Sequence, residues 1–179
     1  ISDSDMSIVH FKDPLRCDRN IRAGGVAIYV KDTLESVRRR DLEVKDLECV
    51  WVQAKVQGHT ILVGGIYRPP NANQNYWNLI HETIDRAKST NIQDIIILGD
   101  LNNDLLVNNR SKNLQELMKA YSLKQLLTEA THFTESSASL IDVILVNKTS
   151  NILSSEVCDP FIPNLVRYHC PVALLLKFA

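Results

Sequence analysis

The stretch Asp94-Ile95-Ile96-Ile97-Leu98-Gly99-Asp100 constrains the fold more than any other part of the chain. Between its two aspartates it has no polar face. A strand with apolar side chains on both sides must be covered on both sides, so it belongs inside a layered structure. The stretch Leu140-Ile141-Asp142-Val143-Ile144-Leu145 has the same character, with one aspartate set into it. Both are expected to be core strands, with Ile96 and Ile144 buried.

Other strands are readable around them. Gly24-Gly25-Val26-Ala27-Ile28-Tyr29-Val30 is entered through a flexible Gly-Gly pair. Residues 49–56 and 60–67 are rich in β-formers, and Gly58 between them makes a hairpin. Residues 172–178 close the chain as an apolar strand. Two stretches have a helical period instead. Trp77, Ile80, Ile84 and Ala87 share one face of residues 75–88, and Leu114, Leu117, Met118 and Tyr121 share one face of residues 111–121. Strands outnumber helices, and helices separate some of them. The fold class is therefore α/β, two sheets packed face to face with helices outside. The length, 179 residues, suits one domain over 1–179.

Composition narrows the function. Hydrophobic residues are 45% and charged residues 23%, which excludes a disordered chain. The net charge of -1 excludes nucleic-acid binding by bulk charge, so any such binding needs locally gathered cations or a metal ion. Cys17, Cys49, Cys158 and Cys170 form no CxxC pair and no zinc spacing, and read as reduced thiols of an intracellular protein. No stretch has the length of a membrane span, and no signal peptide is visible. The polar opening, which lacks a Met, reads as that of a fragment or a processed piece.

Four short motifs carry chemistry. In Gly99-Asp100-Leu101-Asn102, a carboxylate and an amide two residues apart point to the same side of a strand end. The carboxylate can hold a hard cation or orient water, and the amide can donate to a developing phosphorane oxygen. A simple turn accounts for the same residues. Asp142, inside an apolar strand, is costly without a partner, and a histidine is a natural one; a solvated edge position is the alternative. His169, in Tyr168-His169-Cys170-Pro171-Val172, could contact a phosphate if a carboxylate fixed its tautomer. It could equally be a loop histidine without a duty. Tyr67 and Arg68 end a strand before Pro69-Pro70 and could reach a phosphate backbone, or simply mark the exit into a loop.

Singly these motifs are weak, but their order is specific. Tyr67-Arg68-Pro69-Pro70, a helix, Ile-Ile-Leu-Gly-Asp-Leu-Asn, Ser-Leu-Ile-Asp-Val-Ile-Leu and His-Cys-Pro-Val, with Gly-Gly-Val-Ala-Ile-Tyr-Val near the front, resemble the endonuclease domain of LINE-type non-LTR retrotransposons. The resemblance runs from about the first residues to Lys177. It implies a DNase I-like endonuclease/exonuclease/phosphatase fold, a four-layer sandwich of two packed mixed β-sheets flanked by helices. It implies Mg2+-dependent nicking of DNA phosphodiester bonds to prime reverse transcription, in the nucleus, with a reverse transcriptase domain in the same polyprotein. It gives Asp100 the attacking water and the metal, Asn102 the transition state, His169 the phosphate, and Asp142 the orientation of His169. Tyr67 would touch the phosphate or brace Asp100, and Arg68 would bind the DNA backbone.

The chain departs from that pattern in two places. The family's opening strands, one with an asparagine and one with a metal-binding glutamate, precede the point where this sequence begins; Glu35, Glu43 and Glu48 do not match them. The family's Ser-Asp-His is Arg167-Tyr168-His169 here. A phenol, with a reference pKa of about 10, cannot replace a carboxylate near neutral pH. The expectation is a domain incomplete at its N-terminus, binding magnesium weakly and cutting little, with a strand edge left open at residues 172–178. A decayed or domesticated non-catalytic remnant, or another phosphoesterase of the same superfamily, are the alternatives.

Overall fold

The structure, a computed structural model, describes residues 2–19, 24–162 and 166–178. In chain order the described elements are β1 (Leu15–Asp18), β2 (Gly25–Ile28), β3 (Glu35–Arg38), β4 (Glu48–Val56), β5 (His59–Tyr67), α1 (Gln74–Lys88), β6 (Asp94–Asp100), α2 (Lys112–Ala120), β7 (Lys124–Gln125), β8 (His132–Phe133), β9 (Ala138–Ser139), β10 (Asp142–Val146), β11 (Ile152–Val157), β12 (Tyr168–His169) and β13 (Val172–Leu176).

The frame is a six-stranded sheet in the order β3-β4-β5-β6-β10-β7. β4 and β5 form a hairpin whose turn residues Gln57 and Gly58 both have positive φ, 50° and 83°. That is the backbone a two-residue hairpin turn needs. β5 then runs parallel to β6, which requires a crossover, and α1 supplies it. β10 lies antiparallel to β6, with Ile144 opposite Leu98 and Asp142 opposite Asp100.

Strand alternation divides the sheet into two apolar faces. Cys49, Trp51, Leu62, Ile66, Ile95, Ile97, Val143 and Leu145 pack against the apolar stripes of both helices. Gly64 leaves the space that the Trp51 ring fills, and the Trp51 indole donates to Thr83 Oγ1 of α1 at 2.8 Å. On the opposite face Val50 and Val52 meet Val26 and Ile28 of the β1–β2 hairpin. Ile96, Ile144 and Val146 meet Val157, Val172, Leu174 and Leu176 of the antiparallel β11–β13 pair. Ile96 and Ile144 are buried, as two-sided strands require.

The second β layer packs on the other face of the frame. Among the described residues it is made of separate antiparallel pieces: β1–β2, β11–β13 and the small β12-β8-β9 sheet. Both helices belong to the same buried cluster on one side of the frame, and no described α-helix covers the outer side of these pieces. A cleft of about 480 Å³ runs along the four residues of β2 and Tyr29 after it, over Val63, Gly65 and Leu98, to Asp100.

Candidate active site

The site lies where β6 and β10 end together. Gly99 has a φ of 148°, and a Cβ there would overlap the Ile66 carbonyl oxygen of β5. Only glycine lets β6 come this close, and the approach puts Asp100 beside β5, where the Arg68 N–H donates to the Asp100 carbonyl at 2.9 Å. The chain then turns. The Asn102 N–H donates to Asp100 Oδ1 at 2.8 Å, and its side-chain amide donates to Asp100 Oδ2 at 3.1 Å and to the Arg68 carbonyl at 3.0 Å. Asn102 has φ 47°, a left-handed value that asparagine tolerates. The turn reading and the site reading of Gly-Asp-Leu-Asn therefore coincide, because the turn aims the carboxylate.

Asp142 stands opposite Asp100 in register. Its own N–H and that of Ile141 donate to the hydroxyl of Thr131, a fully buried residue, at 3.1 and 3.3 Å. His169 arrives on β12, and its Nδ1 lies 2.9 Å and 3.2 Å from the Asp142 carboxylate oxygens. Asp100, Asp142 and His169 each offer a ligand atom within 4.8 Å of the others.

Charge and burial set the protonation. Burial pushes the Asp100 carboxyl up to about 6, aided by the Asp142 charge and opposed by the Asn102 N–H and the nearby His169. The hydrogen bond to Asp142 holds the His169 imidazole above its ordinary value, against the effect of burial. A raised histidine pKa stabilises the fold fully below the unfolded value, near 6.5, and that contribution is lost as pH rises through the folded value. Titration of His169 by NMR should thus give a pKa above 6.5, and Asp142→Asn should bring it down and flatten the fall of melting temperature above that pH. A His169 pKa unchanged by Asp142→Asn would break the pairing.

A family model described as endonuclease-reverse transcriptase matches residues 61–173, a span that takes in Tyr67, Asp100, Asn102, Asp142 and His169. The chain belongs to this family. Among solved structures, the endonuclease domain of TRAS1, a telomere-specific non-LTR retrotransposon, is 19% identical, with a TM-score of 0.68 over 84% of this chain and 71% of that one. A mannosyl-6-phosphatase of Bacteroides thetaiotaomicron is 16% identical, with a TM-score of 0.68 over 98% of this chain and 81% of that one. An endonuclease/exonuclease/phosphatase protein of Bacteroides vulgatus is 14% identical, with a TM-score of 0.57 over 83% and 69%. At such identities the likeness is one of fold, and the fold is the DNase I-like sandwich. No curated protein matches the chain by sequence.

The other expected residues fare differently. Arg68 is corrected from a DNA contact to a buried strut. Its guanidinium donates to the Ala72 carbonyl at 2.7 Å and to the Leu101 carbonyl at 3.4 Å, and lies over the Trp77 ring at 5.0 Å. Burial lowers its pKa, and only its backbone serves the site, through Asp100 and Asn102. Tyr67 ends β5 with its ring under the Arg19 guanidinium, 4.9 Å away, and Arg19 is in turn tied to the buried Glu48 at 2.6 Å. Tyr67 is thus coupled to an Arg–Glu pair that the sequence did not announce. Tyr168 stacks on Phe133 at 5.3 Å, so its phenol serves packing.

Among the described residues a divalent cation would find two carboxylates, Asp100 and Asp142, and the His169 imidazole. Both Asp100 oxygens already accept from Asn102, and Asp142 is committed to His169. Magnesium prefers oxygen ligands in an octahedron and is often held by one or two carboxylates with water and phosphate oxygens. The donor set fits that sparse arrangement and not an all-protein cage. Thr131 and His132 are site residues that sequence reasoning missed; the signal lies only in the strand register, His169 opposite His132.

Proposed function

We propose that the chain is a DNA phosphodiester-binding domain of the retrotransposon endonuclease type whose cutting step is feeble. The observation that supports this most is the His169–Asp142 pair set against Asp100 at a shared strand end. His169, whose protonated form the Asp142 carboxylate favours, donates to a phosphate oxygen of the DNA. Asp100, with a pKa near the working pH, accepts a proton from the attacking water, a match that favours general-base action. Asn102 orients Asp100 and has the amide that turns to a phosphate oxygen when DNA enters. A bound Mg2+ supplies Lewis-acid polarisation of the phosphate and lowers the pKa of its water. With two carboxylates, one of them spent on His169, the site holds Mg2+ weakly. In an element of this kind the domain acts on nuclear DNA, beside a reverse transcriptase in one polyprotein. The phosphatase with an equal TM-score shows that fold alone does not choose the substrate; the family match favours nucleic acid.

Supercoiled plasmid with Mg2+ tests the reading. The chain should nick at or near background, and Tyr168→Asp alone should leave it there, since the phenol's removal also costs the Phe133 stack. DNA binding should nevertheless weaken in His169→Ala. Vigorous nicking that Asp100→Ala abolishes would overturn the feeble-cutting claim.

A further inference from the structure

Resting on that reading, the geometry points to Arg167 as a further phosphate-contacting residue of the site, held in place by His132. The family-like part of the site leaves His132 unexplained. It is a buried polar residue, 8% exposed, on the strand between β12 and β9. A buried imidazole needs partners for both nitrogens. Its Nδ1 lies 3.2 Å from Ser139 Oγ, and its Nε2 accepts from Arg167 Nε at 3.3 Å. A guanidinium is always protonated and cannot accept, so the ring presents a bare Nε2 to Arg167 and its proton to Ser139. The same ring leans on His169, with centroids 4.5 Å apart. His169 is held by its own hydrogen bond to Asp142, so what His132 alone positions is the solvent-facing Arg167 guanidinium two residues before it.

The chemistry of the pair follows from what surrounds it. His132 engages Arg167 through Nε alone, an acceptor without charge, and no carboxylate salt bridge to Arg167 is found among the described residues. Its charge is therefore not spent inside the protein. The two non-bridging oxygens of a phosphodiester share one negative charge and can accept side by side from a planar guanidinium fork. In a chain of net charge -1, such a locally placed cation is what phosphate binding requires. Between Arg167 and His169, the Tyr168 ring is stacked on Phe133, and Arg167 is exposed to solvent.

The test is fluorescence anisotropy of a short DNA duplex in EDTA across a salt series, with each variant's melting curve recorded. Arg167→Ala should weaken binding on the order of five- to tenfold at low salt. It should also reduce the slope of log affinity against log salt by about 0.9, one phosphate's worth. His132→Ala should weaken binding in the same direction, and the double variant should bind no worse than Arg167→Ala alone, because the two act as a unit. His132→Gln, which keeps an acceptor for Arg167, should recover part of the loss and serves where the alanine variant does not fold. An unchanged slope in Arg167→Ala while His169→Ala binds weakly overturns this inference and leaves the proposed function standing. Parent-like binding by both overturns both. Additive losses from His132→Ala and Arg167→Ala would reduce His132 to a packing residue and sink its positioning role.

Discussion

Gly99→Ala is expected to yield little or no folded protein. The added methyl would occupy the place of the Ile66 carbonyl oxygen, which is backbone and cannot swing aside as a side chain could. Relief requires β5 and β6 to part, yet these strands are the middle of the six-stranded sheet. The φ of 148° adds a conformation that L side chains rarely adopt. Together these place the change among the rare substitutions costing about 4 kcal/mol or more, against a typical domain stability of about 5–15 kcal/mol. Gly58→Ala is the control. Its φ is 83°, but nothing lies within 4 Å of the new Cβ, so only the left-handed strain of about 1–2 kcal/mol applies. Urea unfolding of the two variants beside the parent measures the difference. A Gly99→Ala chain within about 1 kcal/mol of the parent would show that the close approach of β6 to β5 is dispensable. The consequence reaches function, because that approach aligns Asp100 with the Arg68 backbone and with Asp142.

The features legible in the sequence are those written in local pattern. Ile96 and Ile144 are buried because their strands offer no polar face, and the Trp77 stripe lies against the sheet because its period is helical. The Gly58 hairpin follows from turn chemistry alone. Asp142 and His169 are 27 residues apart, and no local rule joins them; the need of an aspartate for a partner, together with motif order, brought them together. Arg68 escaped because an arginine after a strand-end tyrosine looks solvated. Its burial depends on Trp77 and on carbonyls from two other segments. His132 and Thr131 escaped because a buried histidine and threonine between short strands carry no period, and their duty exists only through register with β12 and contact with β10. The division of the second layer into separate antiparallel pieces was equally hidden. The apolar run from Val172 to Leu176 marks a strand but not which edge of it is paired.

That edge is the basis of the other large effect. At concentrations of tens of micromolar the 179-residue chain is expected to self-associate. Among the described residues β13 pairs with β11 alone and β2 with β1 alone, so each keeps one row of backbone groups without a strand partner. Open edges recruit other edges, more so when apolar side chains accompany them. They do here: Leu153 is 62% exposed on β11 and Leu175 is 53% exposed on β13. Fully burying one leucine stabilises by roughly 1.5–3 kcal/mol, so a contact covering a few of them rivals the stability of the domain itself. Light scattering coupled to size-exclusion chromatography should show dimers or larger species that grow with concentration, and a broad melt. Leu153→Lys with Leu175→Lys should shift the profile toward monomer without altering the far-ultraviolet circular dichroism, since charge on an edge strand opposes pairing while both positions face outward. A parent chain that is monomeric with a sharp cooperative melt would mean that the edges of β2 and β13 are protected, and the cleft between β2 and the frame would then be the place to look for what covers them.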